Sequence, residues 1–343
     1  MNVNASIVVP IYNEINLIDN FVNNLFKTFK NEKVKFIFID DGSKDGSSEW
    51  LKINLSKIFD KTNYELITLK KNYGKGYAIK EGIKRIEGSY TMFIDSDLEY
   101  QPQDLYEMYN VVLKNQDIDV LHGSRNLGAK TQLRRYFLNG IAVKLNTWIY
   151  NFLFNQSLTD LHTGSKIIKN LLLKELNIST NGFGLEIVMS SEIAKKNINI
   201  FEYGISYYER SIQEGKKITM IDGFKSYYFL FRERFIKNEL STQISLIYSF
   251  SFMTYAGSYF GMGMGKIMVI LSFMLVGLMI ALNRKIFPLS IIFTLTFIGS
   301  LFSKGNGKIY TTVIFFLIGL FISKKITSYF SSFERKSIIK FLI

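Results

Sequence analysis

Cysteine is absent from this chain of 343 residues, and proline (3), histidine (2) and tryptophan (2) are scarce. Without thiols there are no disulfides, no zinc–thiolate sites and no cysteine nucleophile, and the redox compartment leaves no mark on the sequence. The two histidines, His122 and His162, read as structural, the first at the buried end of a strand and the second in a loop. A Walker phosphate loop is also missing: the segment Asn72–Tyr77 has glycines and a lysine at the wrong spacing. The start, Met1-Asn2-Val3-Asn4-Ala5-Ser6, lacks the basic and apolar stretches of a signal peptide, so the front of the chain is expected to stay in the cytosol.

What the chain does have is apolar residues, 48% of the total, most heavily after about Gln243, and a net charge of +13. This predicts a soluble front joined to a membrane-embedded back. The basic residues are scattered through the front and then cluster at the flanks of apolar runs. Anionic lipid head groups and phosphorylated substrates account for that distribution better than nucleic acid does.

Along the front, strands alternate with helical stretches, which predicts an α/β domain with a mainly parallel sheet. Ser6–Pro10, Val34–Ile39, Tyr64–Leu69 and Tyr90–Ile94 read as strands; Glu14–Lys30, Ser47–Phe59 and Gly76–Ile86 read as helices. Ligands of open α/β sheets collect beyond the carboxyl ends of the strands. Pro10-Ile11-Tyr12-Asn13-Glu14, Asp40-Asp41-Gly42-Ser43 and Asp95-Ser96-Asp97 should therefore share one crevice.

Each strand end has a chemical reading and a plain one. Asp95-Ser96-Asp97 offers clustered oxygen ligands that suit Mg²⁺ or Mn²⁺ with a diphosphate; taken alone, it is as readily a solvated acidic turn. Pro10 removes a backbone donor where a strand is ending, and Tyr12 can lie flat against a base; the plain alternative is a strand terminus leading into a helix. Asp40-Asp41-Gly42-Ser43 is rich in turn formers, yet two adjacent carboxylates behind a buried strand are costly unless a ligand or donor uses one. Asp41 is expected to accept hydrogen bonds from a base or ribose. In Asn72–Tyr77 the glycines permit close backbone approach, and the segment opens a helix whose N-terminus favours negative charge.

Taken together, Val8-Val9-Pro10-Ile11-Tyr12-Asn13-Glu14, Asp40-Asp41-Gly42-Ser43, Gly74-Lys75-Gly76 and Asp95-Ser96-Asp97-Leu98-Glu99 resemble the family-two glycosyltransferases with the GT-A fold. Within these, the chain is similar to the polyprenyl- and dolichyl-phosphate sugar transferases. Gly123-Ser124-Arg125, Asp160–Gly164, Gly182–Glu186 and the stretch from Arg210 through Gly215-Lys216-Lys217-Ile218 to Asp222-Gly223 agree, so the likeness covers about the first two-thirds of the chain.

The resemblance implies that Pro10, Tyr12, Glu14, Ile39 and Asp41 line the nucleotide. It implies too that Asp95, Ser96 and Asp97 meet ribose, diphosphate and metal, and that position 99 completes the metal shell. Mannose synthases of this group carry Gln there; Glu99 adds a negative charge and should tighten cation binding, which leaves Mg²⁺ against Mn²⁺ and the donor sugar open. Arg125, Arg134, Arg210 and Lys217, carried over from matching positions, are the expected acceptor- or diphosphate-binding groups, since guanidinium pairs well with phosphate; ordinary surface pairing is the alternative. Asp97, Arg125 and Arg134 are the expected catalytic residues. A phosphate monoester acceptor is mostly a dianion at neutral pH and needs no general base, so positioning and charge set the rate, and direct displacement inverts the anomeric carbon.

The expected organisation is a GT-A Rossmann-like nucleotide-sugar domain over 1–224, an amphipathic interfacial helix over 225–240, transmembrane helices over 241–325 and a basic cytosolic tail over 326–343. Ile267–Leu282 and Ile309–Ile322 are almost wholly apolar, Ile286–Phe302 is lightly interrupted and Gln243–Gly261 is more polar. Four spans satisfy the positive-inside rule, whereas three leave the basic tail on the wrong side. The partners expected are a nucleotide-diphosphate sugar, a polyprenyl phosphate and the membrane, without nucleic acid; a homo-oligomer is compatible. A polysaccharide synthase would share the strand ends but normally adds Gln-x-x-Arg-Trp, which is absent, and a non-catalytic binding module would leave the acidic set without a purpose.

Overall fold

The computed structural model describes residues 3–236, apart from 129, 183, 197, 212 and 214–219, together with Ile314 and Leu317. Lys217, the basic tail and all of the proposed spans but Ile314 and Leu317 lie outside the described residues. The chain divides into two compact units, Met1–Arg234 and Phe235–Ile343, and the first contains the sheet.

Strands β1 (Ala5–Ile11), β2 (Val34–Asp40), β3 (Tyr64–Thr68) and β4 (Tyr90–Phe93) alternate with helices α1 (Ile18–Phe29), α2 (Ser47–Ile58) and α3 (Lys75–Ile83). After α4 (Pro102–Lys114) come β5 (Val120–Ser124), the short β6 (Gln132–Leu133) and the long α5 (Phe137–Phe154). They are followed by β7 (Lys166–Lys169), α6 (Asn170–Glu175), α7 (Leu185–Lys195), β8 (Ile200–Gly204), β9 (Tyr207–Tyr208) and α8 (Met220–Phe231). Seven strands form one sheet in the order β3-β2-β1-β4-β7-β5-β8, while β6 and β9 pair separately. β7 alone runs antiparallel, to both β4 and β5, so the sheet is mixed.

Burial explains why the strands were legible. Six of the seven residues of β2 are buried, as strands covered by helices on both faces must be. α1 buries Ile18, Phe21, Val22, Leu25 and Phe29 along one stripe. This helix starts four residues later than its periodicity predicts, because Asn13 takes a left-handed conformation (φ 53°). The backbone amides of Asn13, Glu14 and Ile15 are instead held by Ser43 Oγ, Ser47 Oγ and Asp45 Oδ2, each at 2.9 Å. The polar turn after β2 thus ties down the segment after β1.

The chain proceeds outward from β1 to β2 and β3, then returns to place β4 on the other side of β1. That reversal opens a crevice beyond the ends of β1 and β4. The β1–β4 ladder stops at the Val8–Phe93 pair. Pro10 then turns its carbonyl toward the β4 side, where it accepts the Ser96 hydroxyl at 3.1 Å. In a parallel strand a residue's N–H and C=O share a side, so the donor that Pro10 lacks falls where the ladder has ended.

Among the described residues no helix is long and apolar enough to cross a membrane. α5 nevertheless exposes Phe137, Leu138, Ile141, Leu145, Trp148 and Phe152, spaced as one face of a helix.

Candidate functional site

Two adjoining cavities open at the sheet's carboxyl edge. The smaller, about 250 Å³, is lined by Pro10, Tyr12, Glu14, Asp41, Lys75, Asp95, Ser96 and Asp97 among others. The larger, about 570 Å³, includes Glu14, Asp97, Arg135, Tyr208, Glu209 and Arg210 in its walls. Glu14 and Asp97 belong to both and so mark the junction.

The three strand ends converge as their positions in the sequence imply. Ile39 does not join them: it is fully buried in the apolar cluster with Val8, Ile37 and Ala78, because alternation along β2 points it at α3. Asp41 is held by the backbone amides of Tyr73 and Gly74, one to each oxygen at 2.8 Å. Burial pushes its carboxyl above the usual range against those two hydrogen bonds, with Asp40 beside it adding to the rise.

The acids after β4 have different surroundings. Both oxygens of Asp95 meet the Lys75 ammonium, at 2.8 and 2.9 Å, and the same ammonium reaches Glu186 Oε1 at 2.8 Å. Burial opposes the ionised form of Glu186, but the Lys75 charge prevails and holds its carboxyl down to about 2. Asp97 is pushed up to about 7, chiefly by burial and then by the charges of Asp95 and Glu99, with Arg210 acting the other way. Arg210 lies across the junction, donating to Glu14 at 3.0 Å and Asp97 at 3.1 Å.

Glu99 is turned away from the cavities. It is about nine-tenths buried, and its oxygens accept the Tyr207 hydroxyl at 2.9 Å and the Arg210 amide at 3.0 Å. It therefore pins β9 and the residues after it instead of joining Asp95 and Asp97 as a third ligand. Among the described residues no three acidic or histidine side chains converge on a point that could hold a metal. The donor set still fits a hard divalent cation. Asp95 and Asp97 share one wall, their mutual repulsion raises Asp97, and Mg²⁺ or Mn²⁺ ordinarily takes only one or two carboxylates, leaving other positions to phosphate and water.

The expected phosphate-binding cations separate into groups. Arg125 forms a two-point ion pair with the fully buried Asp160 (Nε to Oδ2 2.6 Å, Nη2 to Oδ1 2.8 Å) and lies over the Tyr207 ring at 4.9 Å. Arg134 donates to the Arg125 carbonyl at 2.6 Å and to Asn126 Oδ1 at 2.7 Å. Neither lines either of these two cavities, whereas Arg210 lines the larger one together with Arg135, which sequence reasoning passed over. Lys217 lies outside the described residues. His162 is half-buried with Asn146 Nδ2 3.3 Å from its Nε2, and His122 is buried beside Lys166.

The glycines of Gly74-Lys75-Gly76 do allow close approach, but of protein backbone. A Cβ on Gly74 would lie 2.6 Å from the Asn181 carbonyl oxygen, and one on Gly76 2.7 Å from that of Thr180. Gly164 has a more direct bearing on the site, since a Cβ there would lie 2.3 Å from Asp95 Oδ2 and 3.0 Å from its Cγ. Asp95 is held by Lys75 and cannot yield without losing that pair. Gly164→Ala is therefore expected to lower kcat/KM by about 10²-fold through misplacement of the carboxylate, with a small change in melting temperature. Steady-state rates and a thermal melt check this, and an unaltered rate would count against Asp95 needing its present position.

Comparison with known proteins agrees with this geometry. The chain matches Glycosyl transferase family 2 over residues 6–176. It is 28% identical over 246 residues to a dolichyl-phosphate beta-glucosyltransferase of Dictyostelium discoideum, covering 64% of this chain and 74% of that protein. To the dolichyl-phosphate beta-glucosyltransferase of Saccharomyces cerevisiae it is 25% identical over 243 residues, covering 64% and 71%. Among solved structures, glucosyl-3-phosphoglycerate synthase of Mycobacterium tuberculosis in complex with Mg²⁺ and UDP superimposes with a TM-score of 0.51 at 17% identity, covering 67% of this chain and 78% of that one. This last likeness speaks for the fold alone: an α/β, GT-A, Rossmann-like domain with a mixed sheet. By the match over residues 6–176 and by its relatives, the chain belongs to glycosyl transferase family 2.

Proposed function

We propose that this chain is an inverting, metal-dependent hexosyltransferase that moves sugar from a nucleotide-diphosphate donor of the GDP-mannose or UDP-glucose type to a polyprenyl phosphate at the cytosolic face of a membrane. One observation carries the reading: Pro10, Tyr12, Asp41, Asp95 and Asp97, from three strand ends, line one pocket where the sheet reverses direction. The relatives named for dolichyl phosphate favour a lipid acceptor.

In this reading the smaller cavity takes the nucleotide and the larger one the acceptor phosphate, and the anomeric carbon lies at their junction by Glu14 and Asp97. A divalent cation held by Asp95 and Asp97 would supply charge neutralisation of the departing diphosphate. Arg135 and Arg210 are the cations of the acceptor-side wall, which also carries Glu14, Asp45, Asp97 and Glu209. Arg125 and Arg134 support that wall from behind, through the bond from Arg134 to the Arg125 carbonyl and the stacking of Arg125 on Tyr207. The dianionic acceptor needs orientation and no proton removal. The apolar face of α5, with Arg134 and Arg135 just before it and Lys144 within it, suits a helix lying in the head-group layer and would bring the site to its lipid.

The test is transfer from radiolabelled GDP-mannose and UDP-glucose by the full chain in membranes, with polyprenyl phosphate added or withheld. A lipid-linked monosaccharide whose formation stops on chelation and resumes with Mg²⁺ or Mn²⁺ is expected. A polymer, transfer that ignores the lipid phosphate, or turnover undiminished after chelation would overturn the reading.

A further inference from the structure

Glu186 lines neither cavity, yet it is the second partner of the one lysine in the wall of the nucleotide pocket. The Lys75 ammonium is shared between Asp95 and Glu186 at 2.8 Å each, across 111 residues of sequence. The backbone is built to hold that arrangement. Gly74, at φ 97°, and Gly76 press against the main chain at Thr180–Gly182, and the Tyr77 amide donates to the Asn181 carbonyl at 2.8 Å. The start of α3 is thereby locked to the lead-in of α7, whose first turn carries Glu186. Two glycine-containing motifs far apart in sequence thus serve one contact.

This contact has a consequence for ligand binding. If Asp95 were the only partner of Lys75, the two would close into a neutral pair with both carboxylate oxygens occupied. An arriving ribose, diphosphate or metal would have to break it. With a second anion behind it, the ammonium keeps a full-strength partner when Asp95 turns to the ligand, and it stays at the pocket wall as a fixed positive charge. We infer that Glu186 is a positioning residue for donor binding, which acts by anchoring Lys75 beside Asp95 in the nucleotide pocket. The inference rests on the reading of that pocket as a nucleotide-sugar site. It goes further by assigning a role to a residue outside the cavity.

The experiment is a double-mutant cycle on the full chain in detergent, titrating UDP and GDP calorimetrically in the presence of Mn²⁺. Glu186→Gln and Lys75→Met are each expected to weaken binding by about 10-fold. The double variant should be no weaker than Lys75→Met alone, because the two residues act through one another. Glu186→Asp, which keeps the charge, should recover part of the loss and guards against a Gln variant that fails to fold. Melting temperatures without nucleotide separate a general loss of stability, which would move them in step with affinity, from a local effect, which would not. Wild-type affinity in Glu186→Gln, or losses that multiply in the double variant, would overturn the inference. A wild-type chain that binds neither nucleotide with Mn²⁺ would instead overturn the reading of the pocket.

Discussion

Replacing Asp97 by alanine is expected to abolish sugar transfer while leaving the chain folded. Asp97 is the one acidic side chain after β4 that belongs to both cavities, and its carboxyl is raised to about 7 by burial and by Asp95 and Glu99. Arg210 meets this carboxylate at 3.1 Å but is shared with Glu14, and in the proposed loaded site a divalent cation would take up the carboxylate's charge, so the larger part of its contribution belongs there. Removing a group that stabilises developing charge costs about 10²–10³ in kcat, and if Asp97 holds a divalent cation as proposed, this variant should fall at or beyond the upper end. Arg210 keeps Glu14 and the nearby Glu99 as partners, so the cost in stability should be small. Asp97→Asn is the sharper form, because it can still accept the Glu99 amide that now bonds to Oδ1 while removing the charge. Transfer assays paired with thermal melts decide the matter: activity retained in either variant removes Asp97 from the mechanism.

Asp160→Ala should destabilise the first unit by about 3–5 kcal/mol, the usual cost of stripping a buried ion of its partner. Asp160 is fully buried, receives Arg125 through two points and the Arg125 amide at 3.1 Å, and lies in a loop held by Glu202 through the Thr159 and Asp160 amides. Without it the Arg125 guanidinium has no anion at hydrogen-bond distance in the described structure. Burial would raise the Asp160 carboxyl, but the Arg125 charge and hydrogen bonds outweigh it and hold the group below the ordinary carboxylate range. A depressed folded-state value stabilises the fold at every pH above the unfolded value, about 3.9. The contribution is then lost as the pH falls from there through the folded value. The gap between wild type and variant should accordingly be largest near neutrality and should narrow below about pH 4. Denaturant titration across pH measures both features; a loss under about 1 kcal/mol would mean that Arg125 finds another partner, contrary to what burial here implies.

The acids and arginines show how far the sequence could be read. Asp95 and Asp97 were legible because a four-residue buried strand must end somewhere, and where it ends its next side chains face the crevice. Glu99 was not, because Leu98 adopts a left-handed backbone (φ 58°) and the next carboxylate sits under β9, an element too short to see in advance. Ile39 and Asp41 are two residues apart, yet the first is still inside the strand's alternation and the second is past it. Arg125 follows β5, but its partner Asp160 lies 35 residues on, and no local pattern announces that pair. The antiparallel β7 likewise looks the same in sequence as a parallel strand, since both are buried on two faces.

Periodicity and strand-end chemistry alone determined the α/β layering, the positions of the first four strands along the chain and the convergence of Pro10, Tyr12, Asp41, Asp95 and Asp97, because these follow from spacing along a single chain. Tertiary structure decided which charges face one another: Lys75 between Asp95 and Glu186, Arg210 across Glu14 and Asp97, Arg125 locked to Asp160. Ionic pairing depends on distances of a few ångströms between residues that are far apart in sequence, and only the closed sheet with its helices packed upon it sets those distances.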